Sequence, residues 1–292
     1  MRRREPEILH YAAFTDDPAG GNQAGVVLDA SGLDDSAQLA IAADLGYSET
    51  AFLTEPPQGP GERGRSFTVR YFSPVAEVPF CGHATVAAAV AVAERIGPGD
   101  LLFTTQAGPI PVTVAAGRGT GALHAILTTA EPYVVPASQA DVEEALTALD
   151  WPSADLDPAL PPRIAYAGAR HLVLAAATRD RLARLDYDFD RLTVLMHRLD
   201  LTTVQLVWRE SDTVFHVRDP FPVGGVVEDA ATGAAAGAFG AYARELALVT
   251  PPVTLTLHQG YDLGRPSRLT VELRTDDGRV RVGGSATALT AD

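Results

Sequence analysis

Val86 to Ala93 reads Val-Ala-Ala-Ala-Val-Ala-Val-Ala, two helical turns without one polar side chain. A helix on the surface of a globular protein shows an apolar stripe and a polar face, so one that lacks the polar face must be enclosed on all sides. Small residues suit that position, because neighbouring backbone can approach closely. The spacing predicts this enclosed helix over Ala84 to Ile96, and a second over Ala234 to Leu246, where Ala and Gly again dominate. The two lie about half the chain apart, which suggests two related halves rather than an exact repeat. A membrane span is excluded for the first, because the apolar run is about half the ~20 residues needed and Glu94-Arg95 closes it.

The chain has 292 residues, 46% of them hydrophobic, more than one core of ordinary size usually holds. Strands are expected at Ile8 to Phe14, Val26 to Leu28, Ala51 to Thr54 and Ser66 to Phe72, with a Pro/Gly-rich turn before the last. Further strands are expected at Leu101 to Gln106, Ile110 to Ala115, Ala122 to Thr128, Ile164 to Tyr166, His171 to Ala176, Thr203 to Arg209 and Thr213 to Val217. A shorter helix fits Ser36 to Leu45, stopped by Gly46. Short links favour antiparallel pairing, because a parallel crossover needs a dozen residues or more. The expected class is α+β: two similar domains, each a curled, mostly antiparallel sheet around a central helix. The boundaries fall at 1–130 for the first, with a C-terminal strand in 279–292 returning to it, and 131–278 for the second. Glu131 to Pro136, with two prolines, is the expected linker.

A formal charge of -14 argues against nucleic acid or an anionic membrane as partner, since both need an extended positive surface. An anionic ligand must then be drawn by local donors such as helix starts. The single cysteine, Cys81, rules out an intramolecular disulfide and fits a reducing compartment. The arginines of Met1 to Glu7 precede no apolar run long enough for a signal peptide, so the expected location is the cytoplasm. The seven histidines show no H-E-x-x-H and no Cys/His pairing at metal-ligand spacing, so no metal is expected. Gly20 to Gly25 is glycine-rich but lacks the G-x-G-x-x-G spacing of a dinucleotide site.

Three places carry possible chemistry. Glu49 lies between the stop at Gly46 and an apolar strand, an edge where desolvation raises a carboxyl toward neutrality, as a proton carrier requires. Its plain alternative is a surface or capping glutamate. Cys81-Gly82-His83 opens the first enclosed helix, whose amide end suits an anion, and His83 there could donate to a substrate or simply bond backbone. Cys81 itself is expected to be a small buried apolar residue whose side chain does not meet His83. Glu228 to Gly233 opens the second enclosed helix in the same way, with Asp229 as a ligand contact or a cap. Arg265 and Arg268 sit near a turn and could position an anion, though a solvated turn explains them as well.

Taken in order, these segments resemble the PhzF-like family of phenazine-biosynthesis isomerases and, through it, the diaminopimelate epimerase fold. The resemblance rests on Ala13 to Asp16 with Gly20-Gly21-Asn22, Leu45 to Phe52, Phe72 to Thr85, Glu228 to Gly233, Gln259-Gly260, Gly264 to Ser267 and Val282 to Gly284. It implies two domains with the active site in the cleft between them, a homodimer, and an isomerase that shifts a proton on a small carboxylated metabolite without a cofactor. Glu49 maps to the family's proton carrier, His83 and Asp229 to its other catalytic positions. Asn22, Gly82, Thr232 and Gly233 are the candidate substrate contacts. The related two-cysteine racemase chemistry is excluded by the single cysteine. Ala234 stands where the family has serine and Gln23 where it has proline, so the fold is expected to hold while the substrate changes. The alternatives are a non-catalytic small-molecule binding or self-resistance protein on the same fold, or an epimerase or lyase for another metabolite.

Overall fold

The computed structural model describes residues 6–55, 64–117 and 121–290. The Pro/Gly-rich turn expected before Ser66 and the arginines near the start lie largely outside these residues. By backbone contacts the chain divides into two units, Met1–Thr128 with Gly283–Asp292, and Thr129–Val282.

The first unit contains β1 (Leu9–Ala13), β2 (Asn22–Val27), α1 (Asp35–Leu45), β3 (Glu49–Thr54), β4 (Ser66–Phe72), β5 (Glu77–Val78), α2 (Gly82–Ile96), β6 (Gly99–Thr105), β7 (Gly108–Ala116) and β8 (Leu123–Thr128). The second contains β9 (Tyr133–Pro136), α3 (Gln139–Ala148), β10 (Arg163–Tyr166), β11 (Arg170–Ala175), α4 (Arg179–Ala183), α5 (Phe189–Leu199), β12 (Thr203–Arg209), β13 (Val214–Pro220), β14 (Glu228–Asp229), α6 (Gly233–Glu245), β15 (Val253–Gln259) and β16 (Ser267–Leu273). A last strand, β17 (Val280–Ala288), begins in the second unit and ends in the first, where Tyr11 pairs with Ala288.

The pairing is mixed rather than simply antiparallel. β1–β2, β3–β4 and β6–β7 are antiparallel, as short links dictate, but β2–β3 and β4–β6 are parallel. Each parallel pair is bridged by a helix, α1 or α2, which supplies the long crossover that parallel pairing needs. The second unit repeats the order: antiparallel β10–β11, β12–β13 and β15–β16, with parallel β11–β12 and β13–β15 bridged by α4–α5 and α6. The repeat hinted at by two small-residue helices is therefore a repeat of topology. Tyr133–Pro136 is not a slack linker, because it pairs along its length with Arg163–Tyr166.

Helix α1 starts where the Asp34 carboxylate accepts from Ala37 N and ends at Gly46 in the left-handed region, φ 66°. Helix α2 is buried from His83 through Ala93 and packs on β1, β2, β3, β7 and β8. Helix α6 is buried from Ala235 through Ala243 and packs on β9, β10, β11 and β16. No helix among the described residues is long and apolar enough to cross a membrane.

A buried polar chain crosses the second unit's sheet. His171 Nδ1 is 2.8 Å from Thr203 Oγ1, and Thr203 Oγ1 donates to Asp219 Oδ1 at 2.9 Å. All three side chains are inaccessible to solvent, and His171 Nε2 and Asp219 Oδ2 have no hydrogen-bond partner among the described residues. Burial pushes the imidazole down to about 3 and holds the Asp219 carboxyl well above its ordinary range, with the charges of Asp229 and Glu228 adding to the latter.

Two expectations follow from this packing. The Cβ of an alanine at Gly240 would lie 2.6 Å from Val271 Cγ1 and 2.9 Å from Val280 Cγ1. Gly240→Ala should therefore destabilise by about 1–3 kcal/mol in urea unfolding through overpacking, whereas helix propensity alone would stabilise it by about 1 kcal/mol. The second concerns pH. Between the ordinary carboxylate value of 3.8 and the ordinary histidine value of 6.5, unfolding protonates His171 and deprotonates Asp219, so their contributions to the slope of stability with pH oppose each other. Asp219→Asn leaves His171 uncompensated. Its stability should fall as pH drops below about 6.5, by up to about 1.4 kcal/mol per pH unit, relative to the wild-type chain.

Candidate active site

Glu49 is the first residue of β3, three positions after the left-handed Gly46 that ends α1. The turn between them delivers its carboxylate to the start of α2. There His83 Nε2 stands 3.5 Å from Glu49 Oε2, and Ser48 Oγ stands 3.2 Å from the same ring nitrogen. The other ring nitrogen, Nδ1, is 3.3 Å from the Asn22 carboxamide at the head of β2. Gly21, immediately before it, turns with φ 69°, and a Cβ there would lie 2.5 Å from Ala13 O, so only glycine lets the chain present Asn22. Asn22 and His83 are buried, and the Glu49 side chain is 18% exposed.

Desolvation is the largest influence on Glu49. It raises the carboxyl above its ordinary range, and donation from Ser48 and Cys81 opposes it only in part. A carboxyl raised in this way exchanges its proton more readily than an exposed one, provided that substrate carbon comes within reach.

Cys81 departs from the expectation drawn from its sequence position. It is buried, at 8% exposure, but its sulfur is not isolated: Sγ lies 3.3 Å from His83 Nδ1 and 3.5 Å from Glu49 Oε2. The reason is local. Cys81 is the extended N-cap residue of α2, so residues 81 and 83 turn toward one another across the helix start instead of pointing apart. Thr85 Oγ1 fixes this corner by donating to Cys81 O at 2.6 Å, and Tyr71 OH meets Thr85 Oγ1 at 2.7 Å.

The second unit builds a comparable corner at the start of α6. Thr232 Oγ1 donates to Asp229 Oδ2 at 2.6 Å. Gln259, at the end of β15, clamps the loop: its Nε2 donates to Asp229 O at 2.9 Å and its Oε1 accepts from Thr232 N at 2.9 Å. Gly233 is the first helical residue and is buried, and Ala234 follows it, partly exposed. Glu228 does not join Asp229. Its carboxylate is buried in an ion pair with Arg218, whose Nη1 also donates to Ala183 O at 2.7 Å. Within the two adjacent acids, one is scaffold and the other is partly accessible.

Glu49, His83 and Asn22 thus come together in the first unit, beside Gly82, and Asp229, Thr232 and Gly233 come together in the second. Ser48, Cys81 and Gln259 join these groups without having been singled out as site residues. The sequence signal for Gln259 was its place in the Gln259-Gly260 pair. For Cys81 it was position at a helix start.

Comparison with known proteins places the sequence and the fold. The family model described as phenazine biosynthesis-like protein matches residues 11–291. An uncharacterized isomerase of Mesorhizobium japonicum is 33% identical, with 95% of each chain covered. The trans-2,3-dihydro-3-hydroxyanthranilate isomerase of Pseudomonas fluorescens is 27% identical over 87% of this chain and 86% of its own. Among solved structures, a predicted epimerase of Pseudomonas aeruginosa superposes with a TM-score of 0.84 at 30% identity, covering 98% of both chains. A PhzF-family phenazine biosynthesis protein of Bacillus anthracis gives 0.86 at 24% identity, covering 99% of this chain and 98% of that one. Sequence match and fold converge: the chain belongs to the PhzC–PhzF family of phenazine biosynthesis-like proteins, whose relatives are named as isomerases.

Proposed function

We propose that the protein is an isomerase that shifts a proton on a small carboxylated metabolite, with Glu49 as the group that removes and returns it. The observation that carries this reading is the largely desolvated Glu49 carboxyl, raised above its ordinary range and set 3.5 Å from a histidine at a helix start. A residue needed only for solubility or capping would gain nothing from that desolvation.

The steps follow from the residues. The amide end of α2, at Gly82 and His83, favours an anion, which suits a substrate carboxylate despite the net charge of -14. Glu49 in its ionised form takes a proton from the carbon made acidic by its neighbours. His83, oriented by Asn22 and Ser48, donates toward the oxygen or carbon system on which charge develops. Glu49 then delivers the proton to a second carbon, and the carboxylate is restored. Asp229, held by Thr232 and Gln259, offers an acceptor to a hydroxyl or amino group, and Gly233 offers another helix start. No step in this sequence draws on a cofactor. The homodimer implied by the family resemblance and the cytoplasmic setting expected from the sequence belong to the same proposal.

Ala234 contributes no hydroxyl at the position where the family pattern has serine. A lost buried hydrogen bond of this kind is worth about 0.5–1.5 kcal/mol, enough to move the substrate preference without moving the chemistry. The second reading, an epimerase, is favoured by the 30% identical structure described as a predicted epimerase. It differs only in whether the proton returns to the same carbon.

The test is exchange in D2O followed by proton NMR, beginning with trans-2,3-dihydro-3-hydroxyanthranilate and continuing with related carboxylated dienes and hydroxy acids. Wild-type protein should introduce deuterium into its substrate. Glu49→Gln should lose at least about a hundredfold in rate, as removal of a general acid–base does, with an unchanged unfolding curve. Deuterium at a new carbon identifies a shift, and deuterium at the original stereocentre an epimerisation. Retention of activity by Glu49→Gln would remove Glu49 from the role.

A further inference from the structure

The corner that holds Glu49 also satisfies a different chemistry. Its three donor atoms are a carboxylate oxygen, a sulfur and an imidazole nitrogen, from three residue types. Glu49 Oε2 lies 3.5 Å from His83 Nε2 and 3.5 Å from Cys81 Sγ, and Cys81 Sγ lies 3.8 Å from His83 Nε2. Zinc bond lengths of about 2.0–2.3 Å at tetrahedral angles place ligand pairs roughly 3.3–3.6 Å apart. The observed triangle is within a few tenths of an ångström of that. No other group of three such residues close enough to share an ion occurs among the described residues.

We propose that Glu49, Cys81 and His83 form a binding site for a soft divalent cation of the Zn2+ type, and that its occupancy blocks the proton transfer proposed for Glu49. Donor chemistry selects the cation. Thiolate and imidazole together favour Zn2+ over Mg2+ or Ca2+, which require oxygen ligands. The site supplies three protein ligands, leaving the fourth position to water, and the Asn22 side chain 3.3 Å from His83 Nδ1 orients the ring from behind. On binding, the Cys81 thiol releases its proton to solvent as sulfur takes the cation, and no electron is transferred. The sequence expectation of no metal rested on the absence of a known spacing. Here Cys-x-His supplies two donors from a helix start and Glu49 is brought in by the fold from 32 residues earlier.

Binding can be tested without a substrate, so the result does not depend on the isomerase reading. Titrating the full chain with Zn2+ in a calorimeter should give one ion per chain, and Co2+ should give the near-ultraviolet sulfur-to-metal absorption band of a thiolate complex. Cys81→Ser, which keeps the volume and removes the soft ligand, should abolish that band and weaken Zn2+ by more than about tenfold, as should Cys81→Ala. His216→Ala should leave both unchanged, although His216 lies beside Glu210 and His258 and is the competing place for a histidine-bound ion. In the D2O exchange assay Zn2+ should stop deuterium entry and a chelator should restore it. Wild-type affinity retained by Cys81→Ser, no thiolate band with Co2+, or binding lost in His216→Ala would each overturn the proposal.

Discussion

Everything in either unit depends on surrounding a helix with sheet on all sides. An enclosed helix must be small wherever strands approach its backbone, and α2 meets the demand with alanine, valine and threonine, while α6 uses alanine and glycine around the buried rings of Phe239 and Tyr242. Gly237 and Gly240 show how tight the approach is: a Cβ at Gly237 would lie 2.7 Å from Thr129 Cγ2. Such a helix has no polar surface along its length. Its polar character is concentrated at its ends, and each unit has placed its chemically capable side chains at the N-terminal end.

Glu49 illustrates how that arrangement changes the proton affinity of an ordinary carboxyl. Nothing about its immediate neighbours is unusual, and in water its carboxyl would be ionised and inert as a proton carrier. The strand that it begins is apolar and buried, so the carboxylate loses solvent without gaining a full ionic partner. The contrast with Glu228 is instructive. That carboxylate is more deeply buried but is paired with Arg218 and committed to holding β14 against β13 and α4. Burial with a full ionic partner commits a carboxylate to the scaffold, whereas burial without one raises its proton affinity.

Much of this could be read in the sequence, for physical reasons. The two small-residue helices, the α1 stop at Gly46 and most strands are local signals, set by periodicity and by glycine conformation. The parallel pairs were missed because a link of a few residues was weighed strand by strand, while the helices that form the crossovers were treated as separate elements. Tyr133–Pro136 read as a linker because of its prolines, yet its pairing with Arg163–Tyr166 is a contact that no local rule contains. The desolvation of Glu49 was legible through its place at an apolar edge, and its proximity to His83 only through the family resemblance. Cys81 was misjudged because neighbours in sequence were assumed to diverge, which holds within an element but not across a helix cap. The polar chain from His171 to Asp219 could not be foreseen, since its members lie on three strands joined only by register.

The path of the last strand has a consequence for the order in which the molecule can assemble. β1 has β2 on one side and β17 on the other, so the first unit's sheet closes only when residues 286–288 reach Tyr11 to Ala13. During synthesis the second unit can gather nearly all of its own strands while the first still lacks one. The earlier-made half is thus the later to finish, and until then β1 exposes an open edge of backbone donors and acceptors to other chains. For a nascent chain of this design, the hazardous interval is the time taken to translate the whole second unit.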